Sequence, residues 1–268
     1  MNDRFLEGRT ALVTGSTSGI GLAVARALAA AGARIAINGL GSSNQIDDAL
    51  DAVKQAGDSG EVRHFDADLR DPAMIERMMA AISQWSPIDV LVNNAGIQHA
   101  VPIAEMPVGK WNDIIAINLS AAFHTMRAAL PAMASRGYGR VVNVASVHGL
   151  VASANKAPYV ASKFGIVGLG KVAALEYASA GTRESGGVTI NSVCPGWVET
   201  PLIEPQIQTH RDGGSRDDGV RNLLAEKQPS LRMSSPDDIA AMVVWLCRRE
   251  AHNVTGASFP MDGGWTAQ

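Results

Sequence analysis

The stretch ALVTGSTSGIG, from Ala11 to Gly21, determines the fold that we predict for this chain. Its apolar beginning predicts a strand, which runs directly into a turn that contains Gly15, Gly19 and Gly21. The residues LAVARALAAAGA that follow strongly favour a helix. A glycine-rich turn between a strand and a helix lets the backbone approach a pyrophosphate, and the N–H groups of the helix N-terminus point at it. The stretch therefore predicts a dinucleotide-binding strand, turn and helix.

Short apolar segments alternate with longer helical patterns along the rest of the chain. The segments that read as strands are TALVTG, ARIAING, EVRHFDAD, IDVLVNNA, GRVVNVAS, VTINSVCPG and GASFPMDGG. Helical patterns lie between them, at Gly19–Ala31, Ser43–Ala56, Pro72–Gln84, Lys110–Ser135, Tyr159–Ala180 and Pro236–Arg248. This alternation predicts an α/β fold of the doubly wound Rossmann type, with about seven parallel strands and helices on both faces. Without a repeat or a linker, residues 1–268 are predicted to form one domain.

The composition excludes several classes of protein. A chain of 268 residues with 46% hydrophobic and 18% charged residues can bury a full-sized core. The net charge of −3 gives no indication of nucleic-acid binding. Cys194 and Cys247 have neither a disulfide framework nor metal-ligand spacing, so we expect a reducing, cytoplasmic setting and no metal. The beginning MNDRFLEGRT lacks the apolar core of a signal peptide, and no stretch predicts a membrane span.

Tyr159 and Lys163 lie four residues apart in PYVASKFG, thirteen residues after Ser146. Residues four apart share one face of a helix, so the phenol and the ammonium are predicted to point into the same space. An ordinary phenol has a pKa near 10, and a fixed positive charge nearby lowers it. The spacing, which surface helices also contain by chance, therefore predicts that Tyr159 transfers a proton while Ser146 holds a carbonyl or hydroxyl oxygen.

These motifs, together with IDVLVNNAGI, IIAINLSAAF and CPGWVET, resemble the short-chain dehydrogenase/reductase family over nearly the whole chain and in the family's order. The resemblance implies catalytic roles for Asn118, Ser146, Tyr159 and Lys163. Asn118 is implied both to hold a water in a proton relay and to cap a kink in its helix, and the structural alternative is that it only caps the kink. The resemblance also implies a set of residues that bind a nicotinamide dinucleotide: Gly15, Thr17, Ser18, Gly19, Ile20, Gly21, Leu40, Asp68, Leu69, Asn94, Ala95, Gly96, Tyr159, Lys163, Pro195, Gly196, Val198 and Thr200.

The end of the second predicted strand bears on the choice between NAD and NADP. An acidic residue there commonly binds the adenosine ribose of NAD, and the turn around Leu40 in ARIAINGLGSSN has none. The turn also lacks the Arg or Lys that a 2′-phosphate requires. We therefore predict NAD as the cofactor. The resemblance implies that Asp68 contacts the adenine edge, and the alternative is that Asp68 caps the helix from Pro72.

Polar side chains surround the predicted catalytic group: Gln98, His148, Lys156 and Gln206. Each has a structural alternative, since Lys156, for example, has the character of an ordinary surface lysine. Together they offer hydrogen-bond donors, and no Asp or Glu lies between Ala145 and Glu176. Donors without acceptors suit a carboxylate, so we predict a small anionic oxo or hydroxy acid as the substrate.

Within the family, GIQHAVPIAEMP, SVHGLVASANKAPYVASKFGIVGLGKV, LLAEKQPS and DGGWTAQ resemble the bacterial D-3-hydroxybutyrate dehydrogenases. This closer resemblance implies contacts with the substrate carboxylate by Gln98, His148, Lys156 and Gln206. It implies that Trp197 and Trp265 form the wall near the methyl end, with ordinary packing as the alternative. It also implies that Tyr159 takes the hydroxyl proton while a hydride leaves for the nicotinamide and acetoacetate forms.

The polar excursion from Ile203 to Leu231 departs from the alternating pattern. The family resemblance implies that it covers the substrate, so we predict a lid over residues 197–231, with a solvated surface loop as the alternative. The resemblance further implies a homotetramer. Two other functions stay open: a reductase of another 3-oxo acid or of an acyl carrier substrate, and a non-catalytic dinucleotide sensor. A sensor has no need of the Ser, Tyr and Lys group.

Overall fold

Seven parallel strands form one sheet in the computed structural model, which describes residues 4–57 and 61–267. Hydrogen bonds place the strands in the order β3-β2-β1-β4-β5-β6-β7, and every pairing is parallel. Their bounds are β1 Thr10–Val13, β2 Arg34–Ile37, β3 Val62–His64, β4 Val90–Asn93, β5 Tyr138–Val144, β6 Gly187–Pro195 and β7 Ser258–Met261. The order reverses beside β1, so the predicted doubly wound fold is confirmed. The domain boundaries that we predicted at residues 1 and 268 lie outside the described residues.

Helices cover both faces of the sheet. Their bounds are α1 Gly19–Ala30, α2 Ser43–Ala56, α3 Pro72–Trp85, α4 Val108–Ile115, α5 Ala121–Arg136, α6 Ala157–Tyr177, α7 Glu204–Thr209, α8 Arg216–Lys227 and α9 Pro236–Cys247. A π-helical turn, Ala116–Ser120, joins α4 to α5. The single helix predicted over Lys110–Ser135 is therefore two helices with an insertion between them. None of the helices within the described ranges has both the length and the apolar character that a membrane span requires.

Alternation along the buried strands divides the core into two layers. Ala11 and Val13 of β1 pack on one face with α1, α2 and α9, whereas Leu12 packs on the other face with α3, α5 and α6. Strands buried on both faces have no polar side, which is why the sequence reads as continuous apolar runs there. The turns at the carboxyl ends of the strands are thereby held on a rigid support.

The predicted lid contains two helices, α7 and α8, instead of an irregular loop. Ser215 starts α8 with a capping box, since its hydroxyl accepts from the Asp218 backbone N–H and the Asp218 carboxylate accepts from Ser215 N–H. Ile207 of α7 and Leu223 of α8 are buried against each other in a small cluster of their own, which Trp197 covers. The lid is therefore a small folded unit with its own apolar contacts.

Candidate active site

A cavity of about 600 Å³ opens at the carboxyl edge of the sheet. It extends from the glycine turn after β1 to Trp265 beyond β7, so it crosses most of the sheet. The predicted site residues line it, apart from Gly21, Asn118 and Gln206. These three residues do not contribute to the cavity surface.

The glycine turn is close-packed, and two glycines are sterically required in it. A Cβ atom on Gly21 would collide with the carbonyl oxygen of Gly15 and with the Asn94 amide. Gly15 has a φ of +62°, and a Cβ there would lie 2.8 Å from the Ala95 Cα atom. Gly21 thus shapes the turn from behind, while the surface of the turn is left open to a ligand that approaches the backbone.

The turn after β4 supports the glycine turn. The Asn94 side chain donates to the carbonyls of Thr14 and Gly15 at 2.9 and 3.0 Å. In return the Thr14 hydroxyl accepts from the backbone N–H groups of Asn94 and Ala95 at 3.0 and 3.1 Å. The NNAG motif therefore holds the dinucleotide turn in place. Thr14 has this structural role although no motif in the sequence points to it.

At the far end of the cavity, Asp68 is bound by a cation that the sequence analysis overlooked. The Arg70 guanidinium donates to Asp68 Oδ2 at 2.6 Å and to Oδ1 at 3.0 Å, and it holds the pKa of that carboxyl below its usual range. The cap of α3 is Asp71, whose side chain accepts from Ala73 N–H at 2.8 Å, so the alternative role of Asp68 as this cap is wrong. Arg70 does not line the cavity, and Leu40 is 64% exposed.

Three of the residues predicted to be catalytic lie together in the structure. Ser146 follows β5, and Tyr159 and Lys163 lie on one face of α6. The Lys163 ammonium is buried, donates to the Val144 carbonyl at 2.8 Å and lies 5.6 Å from the centre of the Tyr159 ring. Burial lowers the pKa of Lys163 to about 8. Its position leaves the ammonium close to both the phenol and the cavity.

The pKa of Tyr159 moves opposite to the direction that we predicted from Lys163 alone. Removal of the phenol from water raises the pKa above its ordinary value, and the hydrogen bond with Ser146 lowers it by less. Burial of the phenol is therefore the dominant influence on its pKa. In this state of the site Tyr159 is a neutral phenol, which is the form that donates a proton.

Asn118 occupies the π-helical turn between α4 and α5. Its side-chain amide donates to the Ile97 carbonyl and accepts from the Ile97 N–H, both at 2.9 Å, and it also faces the Ser162 hydroxyl at 3.3 Å. The helix is interrupted at this point by the π-helical turn, a feature that often occurs at functional sites, and the kink itself stays a prediction. The role of Asn118 in a proton relay stays a prediction.

Aromatic rings form the substrate end of the cavity. His148 lies edge to face against Trp265 at 5.5 Å between ring centres, and Trp265 lies 5.6 Å from Trp197. The Lys156 ammonium lies 5.0 Å from the centre of the Trp197 ring. Both tryptophans line the cavity and also pack against each other, so the two roles that we considered coexist.

Burial perturbs both basic side chains at this end. It lowers the pKa of His148 to about 4, and the nearby Lys156 charge contributes in the same direction. It lowers the pKa of Lys156 to about 8, with a further contribution from Lys227 that Glu226 opposes. At neutral pH, therefore, Lys156 is largely cationic and His148 is neutral. The His148 Nδ1 atom lies 3.4 Å from the Val151 carbonyl, which favours a proton on that nitrogen.

The two glutamines that we selected bind each other. In the amide orientation that satisfies its neighbours, Gln206 donates to the carbonyls of Leu202 and Ile203 and accepts from the Gln98 amide at 2.6 Å. Gln98 also donates to Leu202 at 3.0 Å and lines the cavity. Gln206 lies behind it, so a direct contact between Gln206 and the substrate stays a prediction.

Three supporting residues were missed. Lys227 lies 5.7 Å from the centre of the Trp265 ring, and Gln228 accepts from the backbone N–H of Trp197 at 3.1 Å. Asp262 accepts from Gly264 and Thr266 N–H groups and so shapes the turn that carries Trp265. Both residues at the end of α8 stand in the motif LLAEKQPS, but nothing in the sequence indicates that α8 returns to the cavity.

Comparisons with known proteins agree with this geometry. The model of the short chain dehydrogenase family matches residues 9–211. A D-β-hydroxybutyrate dehydrogenase from Cupriavidus necator is 50% identical over 98% of this chain and 100% of its own, and one from Rhizobium meliloti is 46% identical over 97% and 99%. A solved structure of a candidate NAD(P)-dependent gluconate 5-dehydrogenase from Beutenbergia cavernae, with bound NADP, has a TM-score of 0.86 and 33% identity over 98% of both chains. The resemblance predicted from the sequence is confirmed.

Proposed function

Because this chain belongs to the short-chain dehydrogenase/reductase family, we propose that it catalyses the reversible NAD-dependent oxidation of D-3-hydroxybutyrate to acetoacetate. The main support for this substrate is the uneven distribution of charged side chains along the cavity. Lys156, His148 and Gln98 surround its Ser146 end, whereas Asp68, the one carboxylate among the described lining residues, stands on the β3 side. A small acid with an oxidisable hydroxyl fits donors at that end.

The catalytic residues handle the proton. In the oxidation direction the substrate hydroxyl is bound between Ser146 and Tyr159. Tyr159, after it has released its own proton to solvent, takes the hydroxyl proton as its phenolate while C3 loses a hydride. NAD, when bound, supplies the acceptor for that hydride. For acetoacetate reduction the neutral Tyr159 phenol donates its proton to the carbonyl oxygen, and the Lys163 ammonium stabilises the phenolate that remains. Lys156 binds the carboxylate and thereby fixes which face of C3 reacts.

The cofactor half of the proposal is NAD, not NADP. Lys156 and Lys163 are the only Lys or Arg residues on the described part of the cavity wall, and both stand at the Tyr159 end. A 2′-phosphate near Leu40 therefore meets no cation on the wall, and Arg70 is already paired with Asp68. Without a partner, burial of that phosphate is unfavourable. The close-packed turn around Gly15 and Gly21 fits a pyrophosphate against the backbone.

The proposal includes a homotetramer in the cytoplasm. Exposed apolar side chains on α5 and α6 support an assembly, since Phe123, Phe164, Val172 and Leu175 are 45, 44, 52 and 81% exposed. Apolar surface of this extent on neighbouring helices favours contact with another protein surface. Light scattering coupled to size-exclusion chromatography measures the mass of the assembly and would contradict this part by giving a monomer.

The function is tested by following NADH formation with a panel of hydroxy acids. We expect a high kcat/KM with D-3-hydroxybutyrate, and much lower values with its L enantiomer and with its methyl ester. A β-ketoacyl thioester, offered with NADPH in the reverse direction, tests the reductase alternative. Preference for the thioester, or no turnover of any hydroxy acid, would contradict the proposed function.

A further inference from the structure

Lys227 connects the end of the lid to the catalytic side of the cavity. It is the last residue of α8, and its ammonium donates to the Ser153 hydroxyl at 3.1 Å. Ser153 lies between β5 and α6, in the segment that carries His148 and Lys156. The same ammonium lies 5.7 Å from the centre of the Trp265 ring and 3.5 Å from the Glu226 carboxylate. One side chain thus contacts the lid, the catalytic segment and the substrate wall.

The charge of Lys227 acts on the groups that face the substrate carboxylate. Its ammonium lowers the pKa of Lys156 and, more weakly, that of His148. Glu226 opposes the effect on Lys156, but this carboxylate also binds the His210 ring at 3.2 Å. Lys227 does not itself line the cavity, but its positive charge adds to that of Lys156 at this end and so favours an anion there.

The residue after Lys227 fixes the same end of α8 at a second place. Gln228 is buried, and its amide oxygen accepts from the Trp197 N–H while its amide nitrogen donates to the Arg232 carbonyl. A shift of α8 therefore moves Trp197 as well as the Lys227 charge. The position of the lid and the electrostatics of the substrate end are coupled through these two adjacent residues.

We propose that Lys227 is a positioning and specificity-determining residue, which anchors the lid to Ser153 and adds a second positive charge for the substrate carboxylate. This inference rests on the proposed function, because it assumes an anionic substrate at the Lys156 end. Lys227 is not a catalytic residue in this scheme. Its hydrogen bond orders the lid before the substrate binds, and its charge favours the acid over an uncharged analogue.

The experiment compares Lys227→Met, which removes the charge and keeps the length, with Lys227→Arg and Ser153→Ala. Arg221→Met is the matched control, because Arg221 lies on the same helix with 71% of its side chain exposed. For Lys227→Met we expect the KM for D-3-hydroxybutyrate to rise about three- to tenfold, as for a partly exposed charge. The affinity for NAD should stay unchanged, and the preference for the acid over its methyl ester should fall by a similar factor. Lys227→Arg should restore the KM.

Amide hydrogen exchange of α8, measured without substrate, tests the anchor separately. Lys227→Met and Ser153→Ala should both speed exchange at the end of α8, and Arg221→Met should not. A KM within twofold of the wild type in Lys227→Met, or an equal loss for acid and ester, would overturn the specificity role. Unchanged exchange in both variants would overturn the anchor. If the wild type fails to oxidise D-3-hydroxybutyrate, the proposed function fails, while the exchange data and the panel acid that it does oxidise still decide the role of Lys227.

Discussion

The two ends of the cavity are built in different ways. At the cofactor end, the turns after β1, β4 and β6 contribute to the wall, and Asn94 fixes one turn against another. At the substrate end, side chains come from separate elements: His148 and Lys156 precede α6, Trp197 begins the lid and Trp265 follows β7. The predicted cofactor end is therefore built on turns at the ends of sheet strands, whereas the predicted substrate end is assembled from side chains of separate segments.

The electrostatics differ in the same way. The strongly lowered pKa values of basic groups belong to His148, Lys156 and Lys163, which all line the Tyr159 end. Burial is the main cause in each case, and none of the three has a carboxylate on the described cavity wall beside it. Burial makes the positively charged form of these basic groups unfavourable. A negatively charged ligand would stabilise that form, so the cluster indicates a site for an anion. Substitutions at each end separate these contributions.

The largest effect is expected from Tyr159→Phe, which removes the proton-transfer group and leaves the cofactor end intact. Turnover should fall by at least about 10³-fold, because both general acid–base catalysis and the positioning of the substrate oxygen are lost. NAD affinity, measured by titration calorimetry, should stay near that of the wild type. Tyr177→Phe is the control, since Tyr177 ends the same helix. A variant that keeps more than a tenth of the activity would remove Tyr159 from this role.

Lys156→Ala tests the substrate end without the proton-transfer step. A charge-assisted hydrogen bond contributes roughly 1.5–3 kcal/mol, so the KM for D-3-hydroxybutyrate should rise about ten- to a hundredfold. The kinetic constants for NAD should change little, and the gap between the acid and its methyl ester should narrow. Lys171→Ala is the control, because Lys171 lies on α6 and donates to the Gly256 carbonyl away from the cavity. A KM within twofold of the wild type would make Lys156 a structural residue.

The sequence predicted the cofactor end more completely than the substrate end, and the reason is physical. The glycine turn, the NNAG motif and the Tyr159 and Lys163 pair are each a short local motif that can be recognised within a few residues. The ends of the parallel strands bring these motifs to one edge of the sheet. The lid helices and the returns of Lys227 and Gln228 to the cavity depend on tertiary packing, which has no local periodicity. The direction of the Tyr159 pKa shift was also missed, because burial of the phenol dominates that shift and the sequence does not state how deeply the phenol is buried.

The cofactor end is tested by the preference for NAD. The wild type should favour NAD over NADP by more than tenfold in kcat/KM, because no lysine or arginine among the described lining residues stands near Leu40. Leu40→Arg should narrow this preference by supplying a cation for the 2′-phosphate. Leu40→Gln is the uncharged control. Equal kinetics with both cofactors in the wild type would show that a basic group, such as Arg70 released from Asp68, reaches the phosphate.

The smallest effect concerns pH and the substrate end alone. The pKa of Lys156 is lowered to about 8, so its ammonium persists below that pH and is lost as the pH rises through it. Since the carboxylate requires the charged form, the KM for acetoacetate should rise about tenfold between pH 7 and pH 9. Lys163 also has a pKa of about 8, but it contacts the catalytic group, so its loss should appear in kcat.

Two variants assign this alkaline limb to its source. In Lys156→Ala the rise of KM with pH should disappear, because the titrating ammonium is gone, while any dependence of kcat that belongs to Lys163 stays. In Lys227→Met the rise of KM should occur at higher pH, because the Lys156 pKa should be higher. The substitution removes the Lys227 charge that lowers this pKa and leaves the Glu226 charge that raises it. His148, whose pKa is lowered to about 4, stays neutral across this range and contributes no limb of its own. A limb that persists in Lys156→Ala would assign the titration to Lys163 and leave substrate binding independent of the Lys156 charge.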